Sequence, residues 1–339
     1  MKGRLENQIK TEEDIKRLLV NKDEIFSKYL LNLNTNIVKT KYEYLLTILY
    51  FFDHSDKLDS KKVSLEQLRR ITKGDIQSFL DANKYYKGKD GETKLKSPAT
   101  EARTISALKN FFEFLVESEV IDKNPVASIK IPKRNELNSV VYMTPDEIDE
   151  VKENMLRGIG TTSKKVRQNR KAWSNRNVAI LMIGCTMGLR VTAISEINVE
   201  DVDFDELTIS VTEKGGVTKK VWMGKETAKW IHDWMVDRDE LLGDKSSDAL
   251  FISTRGERIT RKGISKMLAQ NTITLTKHIT PHKMRSSCAT NLYNQTENIY
   301  LVKDVLGHKN IANTQKYTRQ SEAKLRNAAS VLEKLYGGK

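Results

Sequence analysis

Between Asn124 and Val141 the chain drops the helical periodicity that it has carried for the preceding hundred residues. Asn124-Pro125 ends that run, and IKIPKRNELNSVV, residues 129–141, is polar, proline-containing and aperiodic, as a connector is. Thr144-Pro145-Asp146-Glu147 then restarts helix, with a capping box and a proline at the first helical position. Such a break in a chain of 339 residues, long for one core, predicts two domains: residues 1–132, a linker over 133–142, and residues 143–339.

The first part reads as all-α. YEYLLTILYFF, KGDIQSFLDANKYY and EARTISALKNFFEFLVESEVI space apolar residues by three and four, and Ile105, Leu108, Phe111, Phe112 and Leu115 share one face. The Gly- and Lys-rich segment 86–98 predicts an exposed loop between helices. In the second part an apolar helix, NVAILMIGCTMG, precedes LTISVTEKGGVTKKVWM, where β-branched residues flank Gly215-Gly216 as a two-residue hairpin turn requires. Lys214 then stands at the hairpin tip. Further helices follow, with one short strand expected at ALFIS, so the fold class is mainly α with a small antiparallel sheet.

Lys plus Arg number 58 against 45 Asp plus Glu, a formal charge of +13 that favours a polyanionic partner but specifies no chemistry. Cys185 and Cys288 are too few for a disulfide framework or a zinc cluster, and both sit in apolar helical surroundings as buried free thiols. No apolar run reaches the roughly 18 residues of a membrane span, so no membrane partner is expected and the protein is placed in the cytoplasm.

The last 150 residues carry, in order, Arg190, Lys214, His282, Arg285, His308 and Tyr317. Attack on a phosphodiester without a metal or nucleotide cofactor needs cationic donors for the nonbridging oxygens, an acid for the leaving oxygen, and a nucleophile. Guanidinium forks such as Arg190 and Arg285 suit the first task. Tyr317 has a phenol of ordinary pKa about 10, which positive neighbours would bring toward phenolate. A mobile Lys214 suits proton donation to the 5′ oxygen, with Lys219 and Lys220 as nearby rivals. His308, after Gly307 at a helix end, can donate to the phosphate.

At these residues the chain resembles the tyrosine recombinases, the family of phage integrases, Xer recombinases and Cre-like enzymes. GLRVTAISEI is similar to the family's first-arginine motif, PHKMRSSCATNL to its His-x-x-Arg helix, and LGHKNIANTQKYT, with His308 and Tyr317 nine residues apart, to its His-to-tyrosine segment. The resemblance implies a helical core-binding domain and a catalytic domain that close around duplex DNA as a C-shaped clamp. It further implies a homotetramer on two specific recombination sites, a 3′-phosphotyrosyl intermediate on Tyr317, and paired strand exchange through a Holliday junction. Arg190 and Arg285 would bind the scissile phosphate, Lys214 would be the general acid, and His282 and His308 would assist. An accessory directionality protein is a further partner of this class of reaction.

One position departs from the family pattern. Three residues after Arg190 the family has a supporting acid, and here Ala193 stands in that place, with Glu196 one turn on as a substitute. Beyond the nucleophile, Leu325, Ala328, Ala329, Leu332 and Leu335 have helical spacing, similar to the C-terminal helix that family members pass to a neighbouring subunit. The reading is integration and excision of a mobile element. Its alternatives are Xer-type chromosome dimer resolution, an inert DNA-binding protein and a swivelling topoisomerase.

Overall fold

The computed structural model of the protein describes residues 2–33, 35, 37–55, 57–88, 91–132, 140–160, 167–212, 218–317 and 333. The chain divides into two compact units between Leu137 and Asn138, and each has its own buried cluster.

The first unit runs α1 (Lys2–Leu19), α2 (Glu24–Asn32), α3 (Val38–Asp53), α4 (Leu65–Arg69), α5 (Lys73–Ala82), β1 (Tyr85–Lys87), β2 (Thr93–Leu95) and α6 (Pro98–Glu117). Capping chemistry sets the starts. Asp23 accepts from the Ile25 amide, Thr72 and Asp75 cap α5 reciprocally, and Ser97 accepts from Thr100 with Pro98 in the first turn. The expected face of α6 is buried in full, Ile105, Leu108, Phe111, Phe112 and Leu115 each being at most 1% exposed. Phe111 meets Phe52 and Tyr29 edge-on, and Phe51 does the same with Phe112 and Phe79, which locks α3 to α6.

The segment expected as a loop between helices is a β-hairpin, so this unit is not all-α. β1 and β2 pair antiparallel with Tyr85 opposite Leu95 and Lys87 opposite Thr93. The Gly88 amide donates to the Glu92 carbonyl, and Gly91 takes the left-handed backbone, φ 80°, that the turn needs. Neither strand alternates apolar with polar residues, so the ladder has no signature of period two.

The second unit contains α7 (Pro145–Arg157), α8 (Arg170–Thr186), α9 (Val191–Glu196), β3 (Val202–Asp203), β4 (Thr208–Thr212), β5 (Thr218–Trp222), α10 (Lys225–Leu242), α11 (Arg261–Asn271), α12 (Pro281–Thr296), α13 (Ile299–Leu306) and α14 (Ala312–Gln315). The Thr144–Glu147 capping box opens α7 as its sequence predicts. Every residue of α8 from Trp173 to Cys185 is buried, because α7, α10 and α12 pack around it. The strands form one antiparallel sheet in the order β3-β4-β5. Thr212 faces Thr218, whereas a two-residue turn at Gly215-Gly216 would put Lys219 there, so the ladder is one residue out of the expected register. Lys214 itself lies outside the described residues, as do 318–332 with most of the expected C-terminal helix.

ALFIS supplies isolated bridges, Asn198 to Ala249 and Ile252 to Arg258, in place of the expected strand. The last residues assigned to the linker belong with the second unit. Val141 packs on its core, and the Lys277 ammonium donates to the Tyr142 carbonyl at 2.6 Å. The next residue, Met143, is pinned to α12 by Ser287 Oγ at 2.8 Å and Asn291 Nδ2 at 3.0 Å.

Candidate active site

The site is assembled around one guanidinium. After α8 the chain turns at Gly188, where φ is 62° and a Cβ would fall 2.8 Å from Leu306 Cδ2 and 3.1 Å from Cys288 Sγ. Only glycine combines that backbone with that closeness. Its carbonyl accepts from Arg285 Nη1 at 2.6 Å, and Arg285 Nη2 donates to the Leu306 carbonyl at 2.7 Å. Arg285 is 4% exposed, so a buried cation joins the turn before α9 to the end of α13.

Each junction delivers a side chain. Arg190 is the exposed N-cap of α9, two residues past the Gly188 turn. At the other end Gly307, φ 63°, closes α13 with bonds from the Gly307 amide to Asp304 and from the His308 amide to Lys303, and His308 follows directly. His282 enters from the first turn of α12, three residues before Arg285 and on the same face.

The field here is positive. Burial first, then Arg285, Arg190, Lys316 and His282, pushes the His308 pKa down to about 4. Partial burial of the His282 ring, then Lys316, Arg285, Lys283 and Arg190, also lowers its pKa. Both imidazoles are therefore neutral at pH 7 and available as proton acceptors or as single donors. Arg190, His282, Arg285 and His308 thus come together in one cationic pocket, which suits an anion of phosphate type.

Tyr317 reaches this region through Thr314, a residue that sequence reasoning missed. Thr314 is wholly buried, its Oγ1 lies 2.9 Å from His308 Nδ1, and its carbonyl accepts the Tyr317 amide at 2.9 Å. A lone threonine in NTQKY carries no signal of that role. The Tyr317 ring is 3% exposed in a cluster with Ala289, Val302 and Leu306. Its hydroxyl is shut off from solvent and has no hydrogen-bond partner among the described residues. The Lys316 ammonium sits 4.8 Å from the ring centroid, and sequence reasoning did not single it out either.

Ala193 brings no acid to α9, and Glu196 ends that helix half-buried. Arg258 closes the same helix end, donating to the carbonyls of Ser195 and Ile197 and to Asn198 Oδ1. Cys185 and Cys288 are buried free thiols, and burial pushes the Cys288 thiol up to about 11. Among the described residues no three His, Cys, Asp or Glu side chains are grouped to hold a metal ion, and no helix is long and apolar enough to cross a membrane.

Comparisons with known proteins identify the family and the fold. Residues 147–324 match the model of the phage integrase family, and residues 26–119 match the phage integrase N-terminal SAM-like domain. The chain is 31% identical over 261 residues to tyrosine recombinase XerD of Oceanobacillus iheyensis, covering 76% of this chain and 80% of that protein. It is also 31% identical over 233 residues to tyrosine recombinase XerC of Vibrio cholerae, covering 68% and 69%. In fold it is similar to the Tn1549 transposon integrase in complex with circular intermediate DNA, with a TM-score of 0.64 at 20% identity over 91% of this chain and 98% of that one. A lambda integrase dimer bound to a COC′ core site gives 0.62 at 18% identity, over 86% and 92%.

Proposed function

The chain belongs to the phage integrase family of tyrosine recombinases, site-specific DNA strand transferases, and from that premise we propose that Tyr317 is its nucleophile and Arg190, Lys214, His282, Arg285 and His308 its catalytic partners. The observation that carries the assignment is the Arg285 guanidinium, bonded at once to the Gly188 turn that delivers Arg190 and to the helix end that delivers His308. Arg190 and Arg285 hold the nonbridging oxygens of the scissile phosphate. The Tyr317 oxygen attacks phosphorus, the bond to the 5′ oxygen breaks, and the phenolic proton passes to a neutral imidazole, His282 or His308. Lys214 protonates the departing 5′ oxygen. A 3′-phosphotyrosyl bond remains, and because it keeps the energy of the cleaved ester, the 5′-hydroxyl of a partner strand reverses each step without a nucleotide or metal cofactor.

Two rounds on four strands pass through a Holliday junction, which requires four active sites and hence a homotetramer on two duplex sites, acting in the cytoplasm. The helical first unit serves as the core-binding domain, and the second unit carries the chemistry. The Ala193 departure and the Lys- and Asn-rich composition support a mobile-element role, with an accessory protein to set direction. The Xer names of the 31% identical relatives support the second reading, resolution of chromosome dimers.

The test is to mix wild type and Tyr317→Phe with fragments of the native replicon and seek a denaturation-resistant adduct. An adduct with wild type alone establishes the nucleophile, and sequencing the trapped DNA reveals the site and separates the two roles. Specific binding without an adduct in either protein refutes the assignment.

A further inference from the structure

The β1–β2 hairpin stands apart from both buried clusters. Five of its six strand residues are exposed, with Tyr85 at 57%, Tyr86 at 48% and Leu95 at 58%. An isolated two-stranded ribbon is marginal in water, and this one is fastened at its root. Tyr50 Oη donates to Asn83 Oδ1 at 2.7 Å, Asn83 Nδ2 donates to the Phe79 carbonyl at 2.9 Å, and the Lys96 ammonium lies 5.9 Å from the Tyr50 ring centroid. The Lys96 amide bonds to the Lys84 carbonyl at 2.9 Å, which extends the ladder to the body of the unit.

The ribbon's side chains are cationic and aromatic. Strand alternation and the register place Lys84, Tyr86, Lys94 and Lys96 on one face and Tyr85, Lys87, Thr93 and Leu95 on the other. Each face therefore has lysine and a tyrosine, and Glu92 is the acidic residue of the hairpin among those described. A protein-docking ribbon would gather apolar groups on one side. Cations on both sides suit a slot with an anionic wall at either hand. The major groove of B-DNA is such a slot, about 12 Å wide, and it admits a two-stranded ribbon.

Resting on the recombinase reading above, we infer that the β1–β2 ribbon is a second DNA contact, separate from the phosphate pocket around Arg285, which lies along a groove of the duplex. Its lysines bind phosphates of both strands and its tyrosines press on sugars and base edges. It sets the register of the first unit on the site without touching the scissile phosphate.

The test uses the full chain, a duplex carrying the trapped site, and binding by fluorescence anisotropy across a salt series. Lys84→Ala/Lys87→Ala removes two exposed cations, and the slope of log K against log salt should become shallower by about 2, since each phosphate contact contributes about 0.9. Tyr85→Ala/Tyr86→Ala should leave the slope unchanged and weaken binding roughly tenfold. Circular dichroism melts report whether either variant disturbs the unit. Unchanged slope and affinity in both variants, with wild type still binding and forming its Tyr317 adduct, overturns the ribbon assignment alone. Loss of self-association at unchanged DNA affinity also overturns it and makes the ribbon a protein contact. Wild type that neither binds the duplex nor forms an adduct overturns the recombinase reading and the ribbon with it.

Discussion

Gly188→Ala tests the construction of the candidate active site at its tightest point. Two costs add. Alanine at φ 62° is in the left-handed region, which disfavours a side chain by about 1–2 kcal/mol. Its Cβ would also lie 2.8 Å from Leu306 Cδ2 and 3.1 Å from Cys288 Sγ. Leu306 is 1% exposed and Cys288 5%, so neither can swing into solvent, and overpacking of this kind costs about 1–3 kcal/mol more. The sum is about 3 kcal/mol, which at a urea dependence of about 2–3 kcal/mol per molar lowers the midpoint by roughly 1 M. All four tryptophans, Trp173, Trp222, Trp230 and Trp234, stand in the second unit, so their fluorescence follows that unit alone. Gly256→Ala is the control, because φ there is 84° but a Cβ meets its nearest atoms at an ordinary 3.5 Å and 3.6 Å. It should lose only the backbone cost. If Gly188→Ala is no less stable than Gly256→Ala, the crowding argument is wrong, and with it the claim that glycine is needed to bring the Arg190 turn against α12 and α13.

Tyr317→Phe deletes a sealed hydroxyl without a partner, so alongside the lost adduct it should raise the urea stability of the second unit by about 1 kcal/mol; a loss would mean the hydroxyl is bonded in the folded state. The folded pKa of His308, about 4, lies below its ordinary 6.5, so the unfolded chain binds more protons between those values. Stability is therefore full above pH 6.5 and falls as pH drops toward 4, and His308→Gln should flatten that part of the profile; parallel profiles for the two proteins refute it. Arg190→Ala, at an exposed position, should abolish the adduct at unchanged melting temperature. Arg285→Ala should abolish it and also destabilise by about 2 kcal/mol or more, since two carbonyls lose their donor. Equal melting of the two variants would refute the bridging role of Arg285.

Arg190, His282, Arg285 and His308 were legible in the sequence because each sits beside a local signal that fixes its backbone: a glycine turn, a proline-led helix start, a glycine helix end. Their convergence needed only that these ends meet, and the burial of α8 from Trp173 to Cys185 and of α12 from Met284 to Thr290 ensures that they do. The β1–β2 ribbon was not legible, because its strands place polar residues on both faces and so lack the alternation by which a half-buried strand is recognised. The β4–β5 hairpin was recognised, but its register was not, since one residue more or less in a Gly-Gly turn leaves the flanking β-branched pattern intact. Thr314 stayed hidden for a different reason. Its hydrogen bond to His308, six positions earlier, depends on the chain folding back between the end of α13 and α14, which neither composition nor period encodes.

A phenol stored out of reach bears on the timing of the proposed reaction. On the proposed assignment, the Tyr317 ring, clustered with Ala289, Val302 and Leu306 with its hydroxyl sealed, would have to leave that berth between the seating of a phosphodiester on the arginines and its cutting. The clock for cutting then belongs to the complex. Once DNA is saturating, adduct should then accumulate at a ceiling rate indifferent to further DNA.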